Sequence, residues 1–287
     1  MEVKFDDAVR KELVQHAPAS GAKLDAIELG HAELFEHYLH PGDLLVDPAQ
    51  LELLPLGPVV RMFMRQAQLN FGRRLWTLLD DFIHLTNASR PYALAMVARA
   101  LIETTAKLVH FREKCRPLEN RVETDEAKIR AFLTEIDKVV YGSRFDWASL
   151  LKSPQTLIDS YGKSMKKSLP ARVEATNVIT LVESLNKRHA QEFDEVGMVG
   201  FLYSYLSDLV HPAAGGDMLV IRPAPGLPGV VRFGATPTRE SIRFLLLKAA
   251  VPSAEICCRH MLALSQLTPL IEGFTSRPSN AGTGTRA

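Results

Sequence analysis

Apolar residues recur every three or four positions along most of this chain, a spacing that suits a helix and little else. Val60, Met64, Ala67, Phe71, Leu75, Leu78 and Phe82 fall on one stripe of a 3.6-residue helix, so a long amphipathic helix is expected across about 59–86. Asn87 or Ser89 is placed to cap a second helix with Pro91 in its first turn. That helix should end near Cys115, because Arg116-Pro117 disfavours continued helical geometry. Thr124 with Asp125 and Glu126 opens a third, closed by Gly142, and further helices are expected at about 155–166, 171–190 and 195–211. Pro212 ends the last of these near His211.

The period then changes. Met218–Arg222 and Val230–Phe233 are short β-type runs around Pro223-Ala-Pro-Gly-Leu-Pro-Gly229, the composition of a hairpin. A final helix follows from about 236 to 266, kinked at Pro252. The expected fold is all-α: an irregular helical bundle, 59–266, with one small β-hairpin insertion at about 218–234 before the last helix. Residues 1–58 form an acidic helical segment in front of it, and 267–287 a flexible tail.

Composition narrows the function by exclusion. Three cysteines, Cys115, Cys257 and Cys258, with two adjacent, do not make a disulfide framework, and no Cys/His spacing suggests zinc. The first residues lack the apolar run of a secretory signal, and no stretch of 18 apolar residues occurs, so a cytoplasmic protein without a membrane span is expected. No phosphate loop, dinucleotide fingerprint or nucleophile elbow is present, and no cofactor is expected.

Lys+Arg totals 34 against 33 for Asp+Glu, so no global field draws the chain to nucleic acid. The charges are nevertheless segregated. Residues 1–54 carry four cations and eleven acids, whereas Lys152–His189 carries seven cations and three acids. An acidic front folded against a basic middle would neutralise both; alternatively the basic stretch faces phosphate.

Two helices carry polar stripes. Arg99, Glu103 and His110 share a face opposite Leu94, Leu101 and Leu108. On the 195–211 helix, Gly197, Gly200, Ser204, Ser207, Asp208 and His211 share a face opposite Val199, Leu202, Leu206 and Leu209. Each stripe could face solvent, or the two could face each other, in which case the glycines should mark the closest backbone approach. His211 at a helix C-terminus, with Asp208 one turn earlier to orient its ring, is placed either to move a proton or simply to cap its helix. Other groupings are weaker. Asp80, Asp81 and His84 have a spacing used in di-metal bundles but lack a second such motif. His31, Glu33, Glu36, His37 and His40 fit no defined metal site, and no metal is expected. His189, after Lys187-Arg188, complements its helix end without further function.

The pair Arg99-Ala-Leu-Ile-Glu103 and Tyr203-Ser-Tyr-Leu-Ser-Asp-Leu-Val-His-Pro212 resembles a widespread bacterial helical family of unknown function. Its Arg-x-x-x-Glu helix falls on Arg99 and Glu103. Its Tyr-x-x-Leu-Ser-x-x-Val-His-Pro helix falls on Tyr203, Leu206, Ser207, Val210, His211 and Pro212. The resemblance spans about Val60–Ser265 and is distantly similar to the HEPN superfamily of helical ribonucleases and nucleic-acid-associated proteins in prokaryotic defence and toxin systems. It implies RNA binding or metal-independent RNA cleavage by a dimer, with Arg99, Glu103, Ser207, Asp208 and His211 as site residues. This sequence departs from the HEPN pattern, which sets an arginine and a histidine on one helix: Leu206 stands five before His211. Arg10 and His16 form an Arg-x5-His pair but lie outside the expected context. The alternative is a non-catalytic dimerising or partner-binding module whose polar stripes form a buried network.

Overall fold

The computed structural model describes residues 3–38, 56–119, 177–193, 198–210, 221–223, 226–229, 231–233 and 246–265. Helix α1 spans Asp7–His16 and α2 spans Ser20–Tyr38; α3 runs Leu56–Asn87 and α4 Pro91–Glu119. After these come α5 (Val178–Arg188), a 3-10 turn (Ala190–Phe193) and α6 (Met198–Val210). Two three-residue strands, β1 (Ile221–Pro223) and β2 (Val231–Phe233), pair antiparallel with Ile221 opposite Phe233. A π-turn at Leu246–Ala250 leads into α7 (Val251–Ser265). The fold is all-α, the strand pair being the sole extended element among the described residues. The helices expected at 124–142 and 155–166, and the tail 267–287, lie outside the described residues.

The apolar stripe of α3 packs inward through Met64, Ala67, Phe71, Leu75, Leu79, Phe82 and Ile83. Leu78 sits at the margin of this core while Leu79 is fully buried. Helix α4 lies at the centre and packs against α3, α5, α6 and α7. Its Leu94, Leu101 and Leu108 are fully buried. Contrary to expectation, α4 does not stop at Arg116-Pro117 but continues to Glu119; proline disfavours helical geometry for the residue before it without forbidding it.

Asn87 does not cap α4 either. Its side chain accepts a hydrogen bond from the Asp6 backbone N–H and donates one to the Lys4 carbonyl, both at 2.9 Å, fastening the chain start to the end of α3. Ser89 turns the corner in the left-handed region (φ 51°). At α5, the Asn177 side chain accepts from the Ile179 N–H at 3.0 Å, satisfying one of the helix's orphan donors. Pro252 lacks an N–H, and the π-turn immediately before it absorbs the interrupted ladder of the last helix.

The acidic N-terminal segment belongs to the same core. Phe5, Leu13, Leu24, Ile27 and Leu34 are buried in one cluster with the residues of α3 and α4. Within it Arg10 pairs with Asp25 and Glu28; most of the basic stretch 152–189 lies outside the described residues. Helices α2 and α7 approach closely, so that a Cβ on Gly30 would lie 2.6 Å from Cys258 Sγ and 2.9 Å from its Cβ.

Two glycines should therefore behave oppositely. Gly30→Ala must push α2 from α7 and is expected to cost about 1–3 kcal/mol by overpacking. A Cβ on Gly200 meets nothing within 4 Å, so Gly200→Ala should gain up to about 1 kcal/mol of helix propensity. Urea unfolding of both variants checks this, and a loss at Gly200 equal to that at Gly30 would contradict the packing.

Candidate functional site

The α4 polar stripe meets α6 at Tyr203. Its hydroxyl donates to Glu103 Oε1 at 2.8 Å and accepts from Arg99 Nη2 at 3.4 Å, while Arg99 Nε donates to the same Glu103 oxygen at 3.3 Å. The Arg99 guanidinium carbon is also 5.3 Å from the Tyr203 ring centroid, within reach of a cation–π attraction. This closed three-membered network joins α4 to α6. Burial, and then the Glu103 carboxylate, push the Tyr203 hydroxyl above its usual pKa despite Arg99, so it stays protonated and donates. One turn on, burial and the Arg74 charge hold Lys107 below its usual value against the pull of Glu103. Lys107 was not among the expected site residues, although its place four after Glu103 signals the same face.

The remaining expected residues are placed differently. The Ser207 hydroxyl donates to the Tyr203 carbonyl one turn back at 2.8 Å, a local bond within α6. Asp208 lies in the last turn of α6, but its side chain and the whole of His211 lie outside the described residues. The glycine face does not approach α4. Gly200 looks onto open space and Ser204 is exposed, while Gly197 lies outside the described residues. The close approach expected there is corrected: a tyrosine, not a glycine, makes the contact, because its long side chain spans the gap.

Asp80 draws together the two weaker groupings. Its carboxylate lies 3.2 Å from His31 Nε2 and 3.8 Å from His84 Nε2, and the His31 ring stacks on Trp76 at 5.4 Å. Burial holds His31 below its ordinary pKa, outweighing Asp80. Among the described residues no group of three or more His, Cys, Asp or Glu side chains is arranged to hold a metal.

A second polar zone was missed in the sequence. Val109, Arg112, Glu113 and Arg116 of α4, Arg188 and His189 at the end of α5, and His260 of α7 line a cavity of about 290 Å³. Arg112 Nη1 lies 3.2 Å from His260 Nδ1. A guanidinium only donates, so this imidazole nitrogen accepts and Nε2 carries the proton. Burial, and then the Arg112 charge, push the His260 pKa down to about 4. His189 Nδ1 is 3.1 Å from Glu192 Oε1, and the two imidazoles meet edge-on with centroids 5.5 Å apart. Although burial pushes Glu192 up, its bond to His189 and the Arg259 charge keep it below the usual carboxylate range. Arg188 pairs with Glu113. His189 is thus a cavity wall as well as a helix end, and it lies 71 positions from His260 in the sequence, which hides the pairing.

No family model, curated protein or solved structure matches this chain, and no helix among its described residues is long and apolar enough to cross a membrane.

Two outcomes are expected. Arg99→Ala and Tyr203→Phe should each cost about 1.5–3 kcal/mol, the range for hydrogen bonds to charged groups. Because both serve Glu103, the double variant should depart from additivity by at least about 0.5 kcal/mol; denaturant titrations of the cycle decide it, and strict additivity would mean no shared network. Separately, His260 takes up a proton near its ordinary value of 6.5 when unfolded but only near 4 when folded. The unfolded chain then binds more protons between these values, so stability should rise with pH across that window and be complete above it. His260→Gln should flatten this part of the profile; an unchanged profile would place the imidazole in solvent.

Proposed function

We propose that this chain is a non-catalytic helical module that associates with a second copy of itself through α6, with the Arg99–Glu103–Tyr203 network holding that helix in place. The observation that carries this reading is that Arg99, Glu103 and Ser207 are each bonded within the fold. Arg99, the cation that would have to steady a phosphorane, bonds Glu103 and Tyr203 instead, and the Ser207 hydroxyl is given to a backbone carbonyl. The departure from the HEPN pattern at Leu206 points the same way.

The outward side of α6 supports self-association. Phe201 is 62% exposed, and its ring stacks on Tyr205, four residues on, with centroids 6.5 Å apart and planes 7° from parallel. Tyr205 is itself half-buried against the core, so it holds the exposed Phe201 ring in place, and an aromatic presented in this way is the kind of side chain that dominates protein interfaces. A two-fold axis beside α6 would set this pair against its own copy, which is the self-complementary contact a symmetric dimer requires.

Light scattering on the eluting protein across a concentration series tests the proposal. The wild type should be dimeric, and Phe201→Ser should weaken the dimer at least about tenfold, worth about 1.4 kcal/mol, with its melting point retained. A monomer at every concentration would overturn the reading. So would cleavage of total RNA without divalent metal that His211→Ala abolishes, since that places an active ribonuclease here.

A further inference from the structure

We propose that Lys107 is a modification site, its amine taking an acyl group from a small acyl phosphate that docks on Arg74. This is independent of self-association through α6, since it uses the junction of α3 with α4 and neither Phe201 nor Tyr205.

The ground is the way two cations are set side by side. Arg74 Nε of α3 donates to Thr104 Oγ1 of α4 at 3.0 Å, and that buried hydroxyl donates onward to the Ala100 carbonyl at 2.7 Å. The guanidinium is thereby fastened across the junction, although Arg74 as a whole stays exposed. Lys107 follows Thr104 by three positions and so stands one turn along the same side of α4. Glu103 stands four before Lys107, the order and spacing of a helical ion pair. Its carboxylate is instead bonded to Arg99 and Tyr203.

This placement makes the amine a nucleophile. Only the neutral form, with its lone pair, attacks a carbonyl carbon. Desolvation and a neighbouring cation both disfavour the ammonium. Here burial, and then Arg74, hold Lys107 below its ordinary pKa against the pull of Glu103. A fully buried lysine would be out of reach of any reagent, but Lys107 is only partly buried.

The same arginine selects the reagent. An acyl phosphate is anionic at its phosphate end, and a guanidinium presents paired donors that suit phosphate oxygens. The Nζ lone pair attacks the acyl carbon, and the bond from that carbon to the bridging oxygen breaks. Inorganic phosphate leaves with the electron pair, while the nitrogen gives up a proton to solvent. The product is a neutral amide, so the repulsion between Lys107 and Arg74 is gone.

Peptide mass spectrometry on the full chain, incubated with acetyl phosphate and separately with acetic anhydride, tests the site. With acetyl phosphate, Lys107 should be acetylated at least about fivefold faster than the exposed Lys11 and Lys114. With the uncharged anhydride the preference should shrink, because Arg74 then has no phosphate to hold. The Lys107 rate should also level off at a lower pH than that of a lysine in an unstructured peptide. Arg74→Gln should remove most of the preference for acetyl phosphate, and Arg74→Lys, which keeps the charge, should restore part of it. A Lys107 rate no higher than that of Lys114, or one that levels off with the unstructured peptide, would overturn the site. Equal preference with both reagents would overturn the acyl phosphate assignment, and so would an undiminished preference in Arg74→Gln. The rate and pH comparisons use the unaltered chain, so they decide the matter even where Arg74→Gln lowers stability.

Discussion

Helix α4 packs against four other helices, and the polar side chains that it buries there cannot be left to water. Each must find a partner on a neighbour, or its desolvation counts against folding. The partners are distributed around the helix. Thr104 accepts from Arg74 of α3 at 3.0 Å; Thr105 reaches the Ser253 carbonyl of α7 at 2.9 Å. Arg99 and Glu103 meet Tyr203 of α6, Glu113 meets Arg188 of α5, and Arg112 meets His260 of α7. Apolar burial holds the bundle together, while these contacts fix which helix lies against which side of α4. A single rotation of α4 about its axis would break all of them at once.

Two zones along α4 use this arrangement differently. Around Arg99 the donors and acceptors close on one another, so the network serves to position α6. Around Arg112 and Arg116, thirteen or more residues further on and hence roughly 20 Å away at 1.5 Å per residue, the walls separate, and cations outnumber acids among the described residues that line them. The first zone is saturated and structural; the second opens into a cavity. The separation also explains why the familiar-looking motif residues and the cavity residues do not coincide.

Much of the fold was legible in residue spacing. The α3 stripe, a helix within 171–190 and the irregularity at Pro252 follow from periodicity and the missing proline N–H, which act within a few residues; the Asn177 cap of α5 was not read. Local rules failed where a distant element intervened. Pro117 should have ended α4, yet α4 runs past it. Gly200 was read as a point of close approach because its helix also carries a polar stripe, yet the tight contact is at Gly30, opposite Cys258. Nothing in the residues flanking Gly30 indicates a thiol from a helix more than two hundred positions later.

The sequence by itself determined the helical class, the core stripes and the partnership of Arg99 with Glu103, because an i,i+4 pair and a 3.6-residue period are properties of one helix. It also carried Tyr203 within the motif that drew attention to α6. Only the tertiary structure decided that Tyr203, rather than a glycine face, bridges to α4, and that His189 and His260 line one cavity with Arg112. Those outcomes depend on the rotation and depth at which one helix lies against another. That geometry is set by packing summed over the whole interface, which no short stretch of residues encodes.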